Sequence, residues 1–297
     1  MKILSFLDSL GGTDVAQAAT PRRELLRQLS QAGATAAAAA FPLTWASPAL
    51  AAPTESVLDA VRLLLQFEDF MVAFYTQALA APVLTNAAQA GVRADFTRIL
   101  AHQQEHAQFL RATFTNAGLT APVAPTNYDF SGRRNNMANP ELFPGVMTDY
   151  TAFLQLAQQL EDASASVYLG QAAHLSTDGQ LFGAILRMQT VEARHASHLR
   201  TLRRTAPTPV FVKSWPSTAD TAPTAPVLVP ATASNSAARV SIYTFEANET
   251  QAVTPANPIP FTTILTNTTV VQFRALAEAY DEPLPTVQAT ALLAIFR

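Results

Sequence analysis

Glu192-Ala-Arg-His195 and Gln103-Gln-Glu-His106 each set an imidazole three residues, about one helical turn, beyond a carboxylate or an amide. Two further acids, Glu68 and Glu161, are each followed seven residues later by a tyrosine, Tyr75 and Tyr168. These four segments form an internal repeat, with 35 residues from Glu68 to Gln103 and 31 from Glu161 to Glu192. Val61, Phe96, Leu154 and Ile185 lie seven residues before the four polar positions, and Tyr75, Leu110, Tyr168 and Leu199 seven after. Positions seven apart share a helix face, so each polar residue interrupts an apolar stripe. Burying that many ionisable groups unpaired would be very costly, and cations among them would remove the cost. The chain has no cysteine, which leaves oxygen and imidazole donors, a set that suits iron, manganese or zinc.

Four long helical patterns must carry these residues. The periodicity predicts helices over about 55–81, 87–117, 148–175 and 178–204, with Pro53-Thr54 as the cap of the first. Gly118 stops the second, and Pro122, Pro125, Gly132, Pro140 and Pro144 keep 118–146 out of helix. Short links make each pair antiparallel, and the long link between pairs can cross the whole bundle. The expected fold is all-α, an antiparallel four-helix bundle with one long crossover over residues 52–205.

Residues 206–297 read differently. A Pro/Thr-rich stretch over 206–236 favours extended chain. Short strands are expected at 239–245 and 262–273, rich in Val, Ile, Thr and Phe, then one or two short helices interrupted at Pro283 and Pro285. This C-terminal extension reads as a small appendage to the bundle.

At the other end, Thr20-Pro-Arg-Arg-Glu-Leu-Leu-Arg27 precedes an Ala-rich stretch ending in Ala49-Leu50-Ala51. A basic start, an apolar middle and a small-x-small exit describe a signal peptide over 1–51. The Arg22-Arg23 pair with Leu25 and Leu26 resembles the twin-arginine consensus, so the chain is expected to be exported, to the periplasm or beyond. Past that signal no apolar run is long enough to span a bilayer, so no stable membrane anchor is expected after cleavage. With 14% charged residues and a net charge of −3, the chain lacks the clustered positive charge that nucleic acid requires.

The repeat resembles the ferritin-like di-iron and di-manganese superfamily, in which two helices each give one Glu and two each give Glu-x-x-His. The leader, the Leu-rich start of the first helix and Asp281-Glu282-Pro283-Leu284 resemble, more narrowly, bacterial ferritin-like proteins called desiccation-related. The resemblance spans roughly 55–204 and implies Glu68, His106, Glu161, Glu192 and His195 as ligands of Fe or Mn, mono- or dinuclear. It further implies a redox enzyme of the ferroxidase, peroxidase or catalase kind, with peroxide or dioxygen as reactant, acting in stress protection. It leaves room for a homo-oligomer.

Gln103 departs from the family pattern, which has a metal-bridging Glu there. A neutral amide bridges two cations poorly, so the resemblance admits either a dimetal site or one metal on Glu161, Glu192, His195 and Glu68. It also admits a non-catalytic interaction protein with a degenerate site. The same geometry would bring Gln103 near Glu68 and Glu192. His102 and His198, one turn from His106 and His195, read as neighbours of the site rather than ligands. Tyr75 and Tyr168 read as core aromatics, with a second role as hydrogen-bond donors to ligand carboxylates and one-electron donors. The arginines at 187, 194, 200, 203 and 204 read as a solvated or helix-pairing set.

Overall fold

The computed structural model describes residues 56–206 and 281–297 without a break. Between them it describes 211–217, 220, 229–230, 239–240, 242–247, 250–252, 258–260 and 278–279. The expected signal peptide lies outside the described residues.

Helix α1 (Val57–Ala80) begins at Ser56 rather than at Pro53-Thr54, because the Ser56 hydroxyl accepts the Asp59 N–H. It has no Pro or Gly, and it ends where Pro82 forces Ala81 into extended backbone. A single turn, Pro82–Thr85, and a 3-10 turn, Ala87–Gln89, lead to α2 (Arg93–Asn116), so α2 starts later than its periodicity predicts. Arg93 reaches back to donate to the carbonyls of Leu79 and Leu84 at 2.8 and 3.0 Å, closing the end of α1. Gly118, at φ +71°, terminates α2: its N–H bonds the Thr115 carbonyl and the Leu119 N–H bonds Phe114. That pair of bonds is the Schellman arrangement, which needs a left-handed residue there.

Helices α3 (Tyr150–Ala172) and α4 (Gly179–Thr205) are capped by Asp149 and Asp178, whose carboxylates accept backbone N–H groups of the first turn. Two side-chain contacts fix the helix directions. Glu68 of α1 meets Tyr168 of α3, while Tyr75 of α1 meets Glu161 of α3, so α1 and α3 run antiparallel. Since α2 reverses α1, it runs the same way as α3, and the link 117–149 must traverse the bundle. The described residues therefore form an all-α, ferritin-like bundle with one long crossover. No helix among them is long and apolar enough to cross a membrane.

The C-terminal segment enters the core. Helix α5 (Thr286–Leu293) and the 3-10 turn Ala294–Phe296 follow Pro285, and Leu292, Ile295 and Phe296 are buried. Phe296 lies among Phe70, Phe130 and Phe143, and its carbonyl accepts the Asp129 N–H at 2.9 Å, tying the crossover to α1. Leu284 donates to the Ser166 carbonyl at 2.8 Å, and its own carbonyl runs so close to α3 that a Cβ at Gly170 would stand 2.3 Å from it. Glycine is required there for the backbones to meet.

The expected strands are not supported. Arg239–Val240 forms only a two-residue pairing with Val229–Pro230, and Ile242–Ala247 is a 3-10 helix. A strand would point Ile242 and Tyr243 to opposite faces, whereas both are buried, as one tight helical turn allows. The remaining short pairing joins Thr250–Ala252 to Pro258–Pro260. The run 262–273 lies outside the described residues.

Candidate metal centre

The four helices bring Glu68, Gln103, His106, Glu161, Glu192 and His195 together at the centre of the bundle, all buried. They form two groups that share one carboxylate: Glu68, His106 and Glu192, and Glu161, Glu192 and His195, with ligand atoms in each group within 4.8 Å of one another. Each histidine turns Nδ1 inward. His106 Nδ1 stands 3.4 Å from Glu68 Oε1 and 2.9 Å from Glu192 Oε1. His195 Nδ1 stands 3.2 Å from Glu161 Oε2 and 3.8 Å from Glu192 Oε2. Two ligand atoms each about 2.1 Å from one ion lie roughly 3–3.4 Å apart, so three of these spacings fit a common cation and the fourth, His195 to Glu192, is wider.

Several donor atoms here have nothing else to bind. Glu68 Oε2, Glu192 Oε1, His106 Nδ1 and Gln103 Oε1 are buried without a hydrogen-bond partner. His106 Nδ1 and Glu192 Oε1 are close enough to bond but misdirected for it. Native interiors rarely leave such atoms orphaned, and four at one point are compatible with a metal site. The orphans fall in the Glu68–His106–Glu192 group and on Gln103, whereas the carboxylate oxygens of Glu161 are both engaged.

The protonation pattern has the same origin. Burial, reinforced by the charge of Glu192, raises the Glu68 carboxyl to about 7. Burial also raises Glu161, to about 8, against the pull of His195. Burial disfavours charge on His106 and His195 too, but the carboxylates beside them outweigh it and raise both to about 10. Burial would likewise raise Glu192, yet its two histidine neighbours hold it well below the usual carboxylate range. Without metal, then, protons on the histidines and outer glutamates supply the positive charge the cluster needs.

Tyr75 and Tyr168 act as donors. The Tyr75 hydroxyl donates to Glu161 Oε1 at 2.5 Å, and the Tyr168 hydroxyl donates to Glu68 Oε1. Burial and the adjacent carboxylate push both phenols well above their ordinary values, so both keep their protons. They are core aromatics that also hold ligand carboxylates. Gln103 meets Glu192, as the expected geometry implies, and Glu161 as well: its Nε2 donates to Glu192 Oε2 at 3.0 Å and to both oxygens of Glu161, at 3.2 and 3.3 Å. Glu68 in turn groups with His106 and not with Glu161 and His195, so the four-residue mononuclear set is not gathered around one point.

His102 orients a ligand. It stacks on His195 with ring centroids 5.2 Å apart and planes 9° apart, and its Nδ1 is 2.9 Å from His195 Nε2. Burial and the charges of His195 and His106 lower His102, which keeps it neutral and able to accept the Nε2 proton. His198 stands apart from both groups: its Nε2 pairs with Asp95 at 3.2 Å, and its side chain is 41% exposed. Both histidines line a cleft of about 500 Å³ that reaches His106 and His195 from the surface between α2 and α4.

Sequence reasoning missed a second buried network. Arg200, fully buried, binds Asp162 and Asp220, and the Tyr243 hydroxyl also donates to Asp162, at 2.6 Å. Arg203 donates to Gln158 at 2.6 Å. Arg200 is thus an interior residue that pairs α4 with α3, the helix-pairing alternative and not the solvated one. Its only local signal is that Asp162 directly follows a ligand.

With the fold and the centre in place, comparison with protein families is decisive: the ferritin-like domain matches residues 56–205, just over half of the chain. The chain belongs to the ferritin-like domain family. Comparison with curated proteins returned no match.

Proposed function

We propose that this chain is an exported ferritin-like protein that holds Fe or Mn at the bundle centre and uses it for Fe(II) oxidation or peroxide detoxification in stress protection. The observation that carries the reading is the pair of buried Glu–Glu–His groups sharing Glu192, with partnerless donor atoms. Bound Fe or Mn supplies one-electron chemistry toward peroxide or dioxygen. The chain's residues supply the setting. Glu192 serves both groups, Tyr75 and Tyr168 hold the outer carboxylates, and His102 fixes the orientation of His195. The cleft beside His102 is wide enough for a small oxidant, while the apolar bundle excludes bulk water. Arg22-Arg23 supports a twin-arginine route, which carries proteins already folded and so suits a metal loaded in the cytoplasm.

Gln103 favours a second reading, a non-catalytic stress or surface interaction protein that kept the bundle. Its amide donates to two carboxylates and so binds the cluster together without metal. Metal content per chain, measured after purification from the periplasm, separates the readings. The redox proposal expects stoichiometric Fe or Mn, and turnover of Fe(II) or peroxide. Trace metal only, with no uptake on adding Fe(II) or Mn(II), would leave the interaction protein standing.

A further inference from the structure

A second cavity, of about 340 Å³, opens on the outer side of α3 and α4, away from the ligand cluster. Its walls are Ala193, Ala196 and Trp215, and carboxylates of Glu246 and Asp281 line it. Glu246 is only 6% exposed, yet it has no hydrogen-bond or ion-pair partner among the described residues. The neighbouring cation is already committed, since Arg200 is bound by Asp162 and Asp220. The lysine at the rim, Lys213, is bound by Glu278, which also accepts from Trp215 Nε1 at 3.0 Å. Asp281 has one long contact, 3.5 Å from the Ser166 hydroxyl. The cavity therefore holds two carboxyl groups to which no cation is committed among the described residues, beside an indole that is half exposed.

A buried carboxylate with no partner is costly, and its environment shows the cost. Burial, with Asp281 and Asp162 nearby, raises Glu246 to about 8, and burial with Asp162 raises Asp281 to about 7. A small inorganic ion does not answer the need. Among the described residues only the two groups at the bundle centre bring three ligand atoms within 4.8 Å, so this cavity does not offer the three protein donors of a metal site. The size and the apolar walls match a small organic molecule, for which sites begin at about 300 Å³.

We propose that this cavity binds a small organic cation, an amine with a short apolar body, its ammonium on Glu246 and Asp281 and its body against Trp215. The charge-assisted bond to Glu246 supplies affinity, and the ring face of Trp215 adds cation–π or apolar contact. The site is independent of metal at the bundle centre.

Calorimetric titration with phenethylamine, and with its neutral counterpart 2-phenylethanol, tests it on the full chain. The amine is expected to bind saturably and the alcohol at least about tenfold more weakly, the loss of one charge-assisted hydrogen bond. Glu246→Gln is nearly isosteric and should weaken the amine by about the same factor, with its melting temperature checked against wild type. Trp215→Ala, at a half-exposed position, should weaken it too without affecting folding, whereas Glu105→Gln in the cleft beside the metal ligands should change nothing. Any of four results overturns the proposal: no saturable binding, equal binding of amine and alcohol, wild-type binding by Glu246→Gln, or loss in Glu105→Gln. Displacement of the amine by Mg²⁺ or Ca²⁺ at similar concentration would overturn it as well, in favour of an inorganic cation.

Discussion

Replacing Gln103 by Glu decides how the centre works, and its effect can be worked from distances. Gln103 Nε2 donates to Glu192 at 3.0 Å and to Glu161 at 3.2 Å. Gln103→Glu puts an oxygen there instead. In the metal-free chain the variant loses two hydrogen bonds to charged groups, each worth about 1.5–3 kcal/mol. It also sets a carboxylate against the charged Glu192, where like charges repel by roughly 5 kcal/mol at an effective dielectric near 20. Taking up a proton relieves part of that, so a net loss of about 3–5 kcal/mol is expected, or roughly 10 °C in melting temperature. With metal the sign reverses, because the new carboxylate would add a negative donor beside Glu161 and Glu192, where a cation would sit. The assay is calorimetric melting and metal stoichiometry of both proteins, with and without Mn(II) or Fe(II). A larger metal-induced rise in the variant, with a gain toward two ions per chain and faster Fe(II) oxidation or peroxide consumption, supports a latent dimetal centre. An equal drop in melting temperature under all metal conditions, with no gain in stoichiometry, refutes the reasoning.

Four further outcomes are expected. Glu192→Ala should abolish most metal binding because it belongs to both groups, and His195→Ala should lose most of it too. His198→Ala, on a residue paired with Asp95, should keep most; equal losses in all three would mean that the ligand assignment is wrong. The metal-free chain should melt lower as pH rises. Folded Glu68 and Glu161 bind protons up to about 7 and 8, and His106 and His195 up to about 10, so the folded state holds more protons than the unfolded chain from about pH 5 to 9 and loses that stability as they leave. Stabilisation by Mn(II) should grow over the same range as metal displaces those protons, and a flat or rising metal-free curve would contradict this. Arg200→Met leaves Asp162 buried and unpaired and should cost about 3–5 kcal/mol, read by denaturant unfolding; a loss under about 1 kcal/mol would show that the pair is not structural. Arg22→Lys with Arg23→Lys should leave uncleaved chain in the cytoplasm, read by fractionation; normal secretion would exclude the twin-arginine route.

The ligand helices were legible because their signal is local. Glu-x-x-His and Glu-x6-Tyr repeat within single helices, and the flanking apolar residues mark the buried face. What each group touches was not legible, since it depends on how helices far apart in sequence face one another. Gln103 meets Glu161, 58 residues away, and Tyr75 meets Glu161, 86 residues away. The Arg200–Asp162 pair was hidden for the same reason: one arginine among five on α4 carries no mark of being the buried one. The tail misled at 239–245, where β-branched and aromatic residues read as strand, whereas Ile242 and Tyr243 are buried in a 3-10 helix; the short helix expected after Pro285 is present. Asp281-Glu282-Pro283-Leu284 carried a resemblance, but only the structure sets Leu284 against Gly170.

The two tyrosine hydroxyls bear on coordination number. Tyr75 holds Glu161 Oε1 and leaves Oε2 toward His195, while Tyr168 holds Glu68 Oε1, the oxygen nearest His106 Nδ1, and leaves Oε2 without a partner. An outer glutamate restrained in this way binds through one oxygen rather than chelating through two. Each ion would then draw one oxygen from its own glutamate, one from Glu192 and one nitrogen from histidine. Three protein donors are fewer than a tetrahedral, and far fewer than an octahedral, ion requires. Protein metal sites that serve only to hold a fold are closed by their own ligands, while those that act on small molecules keep a position open. By each engaging an oxygen of an outer carboxylate, Tyr75 and Tyr168 would leave an ion held here with a position open.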